Sequence, residues 1–274
     1  MHLKFFINYL SYSLEKRGSS CMFTVFIVGM AGSGKSLLTS SFKEWLKFKG
    51  QNVAALNLDP GATLLPYAPD IDVRDLINIE DIMHNYELGP NGALIMAADL
   101  IVDHIEELKE GIEDASPDIL LVDTPGQIEL FAFRESGPCI TQNLSNEPKT
   151  VLYLFDAPFV KKPFNFISSM FMAAAVYTRL LKPQIYVLSK IDLISEEELN
   201  LITLWNENTE FLEESLKEAS SATQSLICKE LVEGLTQTNL IQELIPASAK
   251  TNFGLIDVYG AITRVCSGGE EPIP

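Results

Sequence analysis

Gly29-Met30-Ala31-Gly32-Ser33-Gly34-Lys35-Ser36 is the stretch that decides how this chain folds. It fits the spacing G-x-x-x-x-G-K-[ST]. Before it runs Phe23-Thr24-Val25-Phe26-Ile27-Val28, a continuous apolar stretch ending in glycine, as a buried parallel strand does. After it the pattern predicts a helix over about 35–49, closed by Gly50. A glycine-rich turn between strand and helix aims successive backbone N–H groups onto phosphate oxygens. The helix N-terminus adds its partial positive charge. Lys35 then supplies a point charge to the outer phosphates, and the Ser36 hydroxyl is placed to ligate Mg²⁺. Gly29, Gly32, Ser33, Gly34, Lys35 and Ser36 are therefore the first candidate nucleotide-binding residues.

Five further apolar runs lie downstream: 53–57, 118–122, 150–155, 184–188 and about 240–246. Helical spacing covers about 79–86, 92–109, 164–181 and 195–232, with a last helix to about Val265. Ser195 and Glu198 form a capping box. Strands alternating with helices predict an α/β fold, a doubly wound, mostly parallel sheet flanked by helices. Such sheets carry their sites at the carboxyl ends of strands. We read a single domain over 22–265, with helical insertions at about 79–110 and, strongly acidic, at about 195–239, and a flexible tail over 266–274. Residues 1–21 read as a non-essential extension, with Met22 as the natural start. The apolar stretch at Phe5–Leu10 is short for a signal peptide, and no small-residue cleavage site follows it.

The charge balance excludes some partners. The 274 residues hold 20 Lys and Arg against 37 Asp and Glu, a net charge of −17. Such a chain has little to offer a phosphate backbone, so no direct nucleic-acid partner is expected. Between Ser195 and Glu243 there are eleven Glu, no Asp, two Lys and no Arg. We read this segment as a solvated helical face. No uncharged apolar run reaches about 18 residues, so no membrane partner is expected. Cys21, Cys139, Cys228 and Cys266 are far apart, and only three His are present. Neither a zinc site nor a disulfide framework is suggested, and a reduced, cytoplasmic compartment fits.

Three more motifs follow strand ends. Asp123-Thr124-Pro125-Gly126-Gln127 closes the third strand: Asp123 can reach Mg²⁺ through water, the Gly126 N–H can sense a γ-phosphate, and Gln127 can orient an attacking water. Ser189-Lys190-Ile191-Asp192 closes the fifth and resembles [NT]-K-x-D. Guanine presents two donors side by side, N1–H and N2–H₂. A carboxylate such as Asp192 accepts both, whereas adenine leaves it unpaired. The Lys190 stem can pack over the base. Ser189 replaces the usual Asn or Thr, which weakens one supporting hydrogen bond. Ala247-Ser248-Ala249-Lys250 follows the sixth strand, where the Ala249 region can offer a backbone N–H to guanine O6. Asp59 ends the second strand, as a magnesium-shell or water-polarising carboxylate or as a turn residue in Asp-Pro-Gly.

Gly89-Pro90-Asn91 lies between Asp59 and Asp123, after Glu87-Leu88. Taken alone it is a plain interhelical turn. With Asn57-Leu58-Asp59-Pro60, the Asp70–Asp75 stretch and Asp123-Thr-Pro-Gly-Gln-Ile-Glu129, the chain resembles the GPN-loop GTPases of archaea and eukaryotes, in order from about Met22 to Ile262. The resemblance implies the dimerising class of P-loop GTPases that includes signal-recognition GTPases and MinD-like ATPases, with an archaeal-type homodimer. It implies that Gly89, Pro90 and Asn91 of one subunit reach the γ-phosphate held by the other. Asn91 then supplies in trans what an arginine finger or a second P-loop lysine supplies elsewhere, and this loop, with Ala31, has no second lysine. Asp59, Gln127 and Glu129 are implied to position the water, with Mg²⁺ as cofactor and GTP or GDP as ligand. A protein client is also implied, RNA polymerase subunits or assembly factors by the association known for eukaryotic members.

Two other functions share the P-loop. A nucleotide or polynucleotide kinase should add a basic lid for its second substrate, and no Arg-rich lid occurs. A low-turnover nucleotide-binding scaffold would have no use for Gln127 and Asn91.

Overall fold

β1 (Phe23–Gly29) sends alternate side chains into two separate cores. Phe26 and Val28 enter one, Val25 and Ile27 the other, as the two-residue period of a strand requires. The computed structural model describes residues 23–219, 222–237 and 242–266. The expectations for residues 1–21, for most of the tail, and for the side chains of Cys21 and Cys228 lie outside the described residues.

The other strands are β2 (Val53–Asn57), β3 (Ile71–Asp72), β4 (Ile119–Asp123), β5 (Lys149–Asp156), β6 (Gln184–Ser189) and β7 (Leu244–Pro246). They form one sheet in the order β3-β2-β4-β1-β5-β6-β7, and every pair is parallel. The doubly wound parallel sheet is therefore as expected. β1 sits between β4 and β5, so the chain winds outward in both directions from the phosphate-loop strand, and a crevice opens at its carboxyl end.

Helix α1 (Lys35–Phe48) packs Leu38, Phe42 and Leu46 on one face of the sheet. Its companion there is α12 (Leu255–Cys266). The opposite face carries α2 (Ile79–Asn85), α3 (Pro90–Leu100), α4 (Ile105–Ala115), α5 (Ile128–Phe131), α6 (Ser136–Asn143), α7 (Ala157–Val160), α8 (Pro163–Leu180), α9 (Glu196–Glu207), α10 (Thr209–Glu218) and α11 (Ala222–Gln237). Burying a large apolar side chain contributes about 1.5–3 kcal/mol, so two filled faces hold the sheet rigid beneath its loops.

Several bounds differ from expectation. The predicted helix over 92–109 begins earlier, at Pro90, where the missing N–H of proline costs nothing. It then tightens into a 3₁₀ turn at Ile101–His104 before α4. Ala93, Ala97, Ile101, Ile105, Leu108 and Ile112 stay buried throughout, so the core stripe survives the change of pitch. The last strand is shorter than 240–246, and residues 238–241 lie outside the described residues. The apolar helix α8 is a core helix: Phe166, Ile167, Met170 and Ala173 are buried. In the acidic segment Ile202, Trp205, Leu212 and Leu216 face inward, while Glu196, Glu197, Glu207, Glu210 and Glu214 are exposed. The expected capping box at Ser195 and Glu198 is present.

Candidate nucleotide site

The Gly29–Ser36 loop is shaped by its glycines for two different reasons. Gly32 and Gly34 have φ of 77° and 93°, the left-handed region that only glycine enters freely. Gly29 has no such φ, but a Cβ there would stand 2.7 Å from Ser33 Oγ and 3.0 Å from the Leu154 carbonyl. Gly34 is the N-cap of α1. Lys35 follows it, 5% exposed, and donates from Nζ to the carbonyls of Gly29 (2.9 Å), Met30 (3.1 Å) and Gly126 (3.0 Å). Burial pushes its ammonium down to about 8, against Asp123 and Asp59, which raise it. A buried cation at a helix N-terminus is matched to an incoming anion.

Gly126 joins three motifs. Its carbonyl accepts from Lys35, and its N–H donates to Asp59 Oδ2 at 3.0 Å. The sequence marked that N–H as a γ-phosphate sensor, but here it is given to Asp59. Asp59 Oδ1 accepts from the Gly61 N–H at 2.9 Å. Asp59 is thus a turn residue and a brace at once, with one oxygen closing Asp-Pro-Gly and the other reaching the Gly126 turn.

Asp123 is 1% exposed at the end of β4. Oδ2 accepts from the Tyr67 hydroxyl at 3.0 Å, while Oδ1 is buried with no hydrogen-bond partner. Burial pushes the carboxyl up to about 6, opposed by hydrogen bonds from Ser36 and Tyr67 and by the Lys35 charge. The same burial and the nearby carboxylate push the Tyr67 phenol far up, so it stays protonated and can only donate to Asp123. The Ser36 hydroxyl and the partnerless Asp123 oxygen are both oxygen donors, of the kind Mg²⁺ takes together with phosphate and water. No cluster of three or more His, Cys, Asp or Glu able to hold an ion occurs among the described residues, so phosphate and water would have to complete the shell. Gln127 is the N-cap residue of α5 and is exposed, and Glu129 is exposed two residues further on.

Residues 189–192 and 247–250 come together at one pocket. A pocket of about 260 Å³ is lined by Gly34, Leu37, Ser189, Lys190, Asp192 and Ala249, among others. Ser248, wholly buried, donates to Asp192 Oδ1 at 2.6 Å and accepts from the Thr251 N–H at 3.2 Å. Lys190 takes φ 60° and runs its stem beside Gly34, where a Cβ would meet its Cε at 3.5 Å. Its ammonium donates to the Gly32 carbonyl and pairs with Asp156 at 3.0 Å. Ser189 takes the place of the usual Asn or Thr. Its hydroxyl lies 2.8 Å from the Ser33 carbonyl and 3.0 Å from that of Phe155, so its one proton still ties the base loop to the phosphate loop or to β5.

Gly89, Pro90 and Asn91 are exposed at the start of α3, with Gly89 as N-cap and Pro90 at the first helical position. A Cβ on Gly61 would stand 2.5 Å from Leu94 Cδ2, so α3 packs on the turn that Asp59 closes. The loop is therefore mechanically joined to its own Asp59. No sequence signal marks Tyr67, which lies in a Pro-rich loop without periodicity. Ser248 stood out only as part of a loop and not as the partner of Asp192.

A phosphate loop with a carboxylate behind it, and a base pocket ending in a carboxylate, define a P-loop nucleotide hydrolase with a guanine site. The profile of a family described as "conserved hypothetical ATP binding protein" matches residues 27–267. A GPN-loop GTPase of Pyrococcus abyssi is 36% identical over 249 residues, 90% of this chain and 98% of its own length. The GPN-loop GTPase 3 of Eremothecium gossypii is 30% identical over 91% of this chain and 94% of its own. The crystal structure of the apo GTPase from Pyrococcus abyssi superposes with a TM-score of 0.79 at 34% identity, covering 89% of this chain and 97% of that one. The chain belongs to the GPN-loop GTPase family, and it is a GTP-binding, GTP-hydrolysing enzyme. The profile's wording names ATP, whereas the relatives named above are GTPases.

Proposed function

We propose that this chain is a Mg²⁺-dependent GTP switch that completes its site as a homodimer and handles a protein client. One observation carries the reading: Asp192, held by Ser248, lines a pocket with Gly34 of the phosphate loop, and the next residue, Lys35, feels the charge of the buried, half-partnered Asp123. A base-reading carboxylate and a phosphate-binding lysine thus adjoin the same glycine-rich loop, which supports a guanine nucleotide.

In this reading Gly29, Gly32, Ser33, Gly34 and Lys35 cradle the phosphates, and the Lys35 bonds to Gly29, Met30 and Gly126 exchange for phosphate oxygens. Ser36 and Asp123 hold Mg²⁺, directly or through water, with Asp59 adding its charge. The ion, when bound, neutralises charge developing on the transferring phosphoryl group. Asp192 accepts from guanine, Lys190 covers its face, and the Ala249 N–H meets O6. Arrival of a γ-phosphate at Gly126 displaces Asp59, freeing its carboxylate to polarise water with Gln127 and Glu129. Asn91, from the partner's Gly-Pro-Asn turn, supplies the remaining donor to the γ-phosphate.

A cytoplasmic location, and a role in assembling RNA polymerase or its subunits, complete the reading. No helix among the described residues is long and apolar enough to cross a membrane. The test is affinity capture by the protein locked with a nonhydrolysable GTP analogue, against the GDP-bound protein, with phosphate release and oligomeric state measured alongside. GTP-dependent recovery of polymerase subunits is expected, and equal recovery in both states would contradict the switch.

A further inference from the structure

Ser36, Ser40 and Lys43 are spaced i, i+4, i+7 and so share one face of α1. Ser36 stands in the first turn of the helix, and its hydroxyl helps hold the Asp123 carboxyl down against burial. Ser40 Oγ donates to the Pro66 carbonyl at 3.0 Å. Lys43, 5% exposed, donates from Nζ to the Ala68 carbonyl at 2.9 Å and pairs with Asp70 at 2.8 Å. Asp70 in turn accepts from the Ala55 N–H of β2 at 2.6 Å. The segment 66–70 is therefore laid along the phosphate-loop helix by its own carbonyls, clamped on each side of residue 67. The clamps fix Tyr67 in place, and its hydroxyl reaches Asp123 Oδ2 at 3.0 Å.

A carboxylate can turn about its last bond, and a metal ligand is worth most when it does not. With Oδ2 held by Tyr67, Asp123 keeps Oδ1 buried and without a partner. We infer that Tyr67 is a positioning residue for the Mg²⁺ site: it fixes Asp123 so that the free oxygen faces the ion, and it ties the 60–72 loop to occupancy of the site. This rests on the assignment of Mg²⁺ to Ser36 and Asp123. It predicts that loss of one hydroxyl, far from the base pocket, weakens the ion and not the nucleotide.

Tyr67→Phe keeps the ring and removes the donor. The experiment is a Mg²⁺ titration of fluorescent GDP binding to the full chain, with a parallel measurement in EDTA. The unaltered protein should bind GDP more tightly as Mg²⁺ is added. In Tyr67→Phe the Mg²⁺ midpoint should rise about tenfold or more, the usual effect of losing a partner of a metal ligand. Affinity in EDTA should stay the same, and Ser40→Ala, which loosens one clamp, should give a smaller shift in the same direction. An unchanged or lowered midpoint in Tyr67→Phe, with the unaltered protein still Mg²⁺-dependent, overturns the positioning role alone. Indifference of the unaltered protein to Mg²⁺ overturns the metal assignment, and this inference falls with it.

Discussion

At the residue scale the account turns on how each polar group is answered. Asp192 accepts from Ser248 and keeps acceptor capacity for the base. Asp192→Asn should cost GTP about 1–3 kcal/mol of binding and leave ATP binding unaffected, since an amide cannot accept two guanine donors. Calorimetric titration with both nucleotides checks this, and equal losses for GTP and ATP would contradict the base assignment. Ser36→Ala should mainly raise the Mg²⁺ requirement, whereas Lys35→Ala should abolish tight triphosphate binding. Nucleotide affinities measured across Mg²⁺ concentrations separate the two. The residues behind these predictions were legible because the chemistry demands fixed types at fixed spacings: Lys35 after two glycines, Asp192 two residues after Lys190. Tyr67 was not legible, because its partner is 56 positions away and no spacing rule links a loop tyrosine to a strand-end carboxylate. Ser189 was read as a mild loss, because a hydroxyl's bond to the Ser33 carbonyl depends on a β6-to-loop distance that only the fold sets.

At the element scale the sheet was written in its apolar runs, and the short pieces were not. β3 is two residues, Ile71 and Asp72, too brief to show a period. α5 and α7 are single turns of four residues whose stability comes from packing and not from pattern. Two glycines at element boundaries give opposite expectations. Gly254 has φ 74°, and a Cβ there would stand 2.0 Å from the Pro246 carbonyl, where β7 hands over to the base loop. Gly254→Ala should cost about 1–3 kcal/mol of stability and weaken GTP binding with it, because Ser248 and Ala249 must shift. Gly89 has nothing within 4 Å of a built Cβ and an ordinary φ of −72°. Gly89→Ala should leave stability within about 0.5 kcal/mol, so any loss of turnover in it reports on the loop's function. Thermal melts of the two variants, with GTP titrations, check the contrast.

At the scale of the whole molecule, strand order places β1 at the switch point, and the phosphate loop, Asp123, Asp59 and the base loops all rise from carboxyl ends on one side. Gly89-Pro90-Asn91 stands apart from these, exposed on a helix that packs against the Asp59 turn. On the proposed dimer, a partner's contact with the loop would be transmitted to the nearby carboxylate through this packing. Only a second subunit can reveal whether Asn91 serves its own site or its neighbour's, which is why neither the sequence nor one chain's fold spells it out. Removing a single transition-state donor should lower kcat about 10²–10³-fold with GTP affinity nearly intact, so Asn91→Ala and Gln127→Ala should both bind GTP and turn it over poorly. The most direct test is steady-state GTP turnover by Asn91→Ala, by Lys35→Ala, and by an equal, exchange-equilibrated mixture of the two. Each alone should be nearly inactive. Completion across a homodimer predicts that the mixture recovers up to about a quarter of the unaltered rate per chain, because half the dimers then pair one intact phosphate loop with one intact Asn91. A mixture no more active than the average of its parts would contradict it.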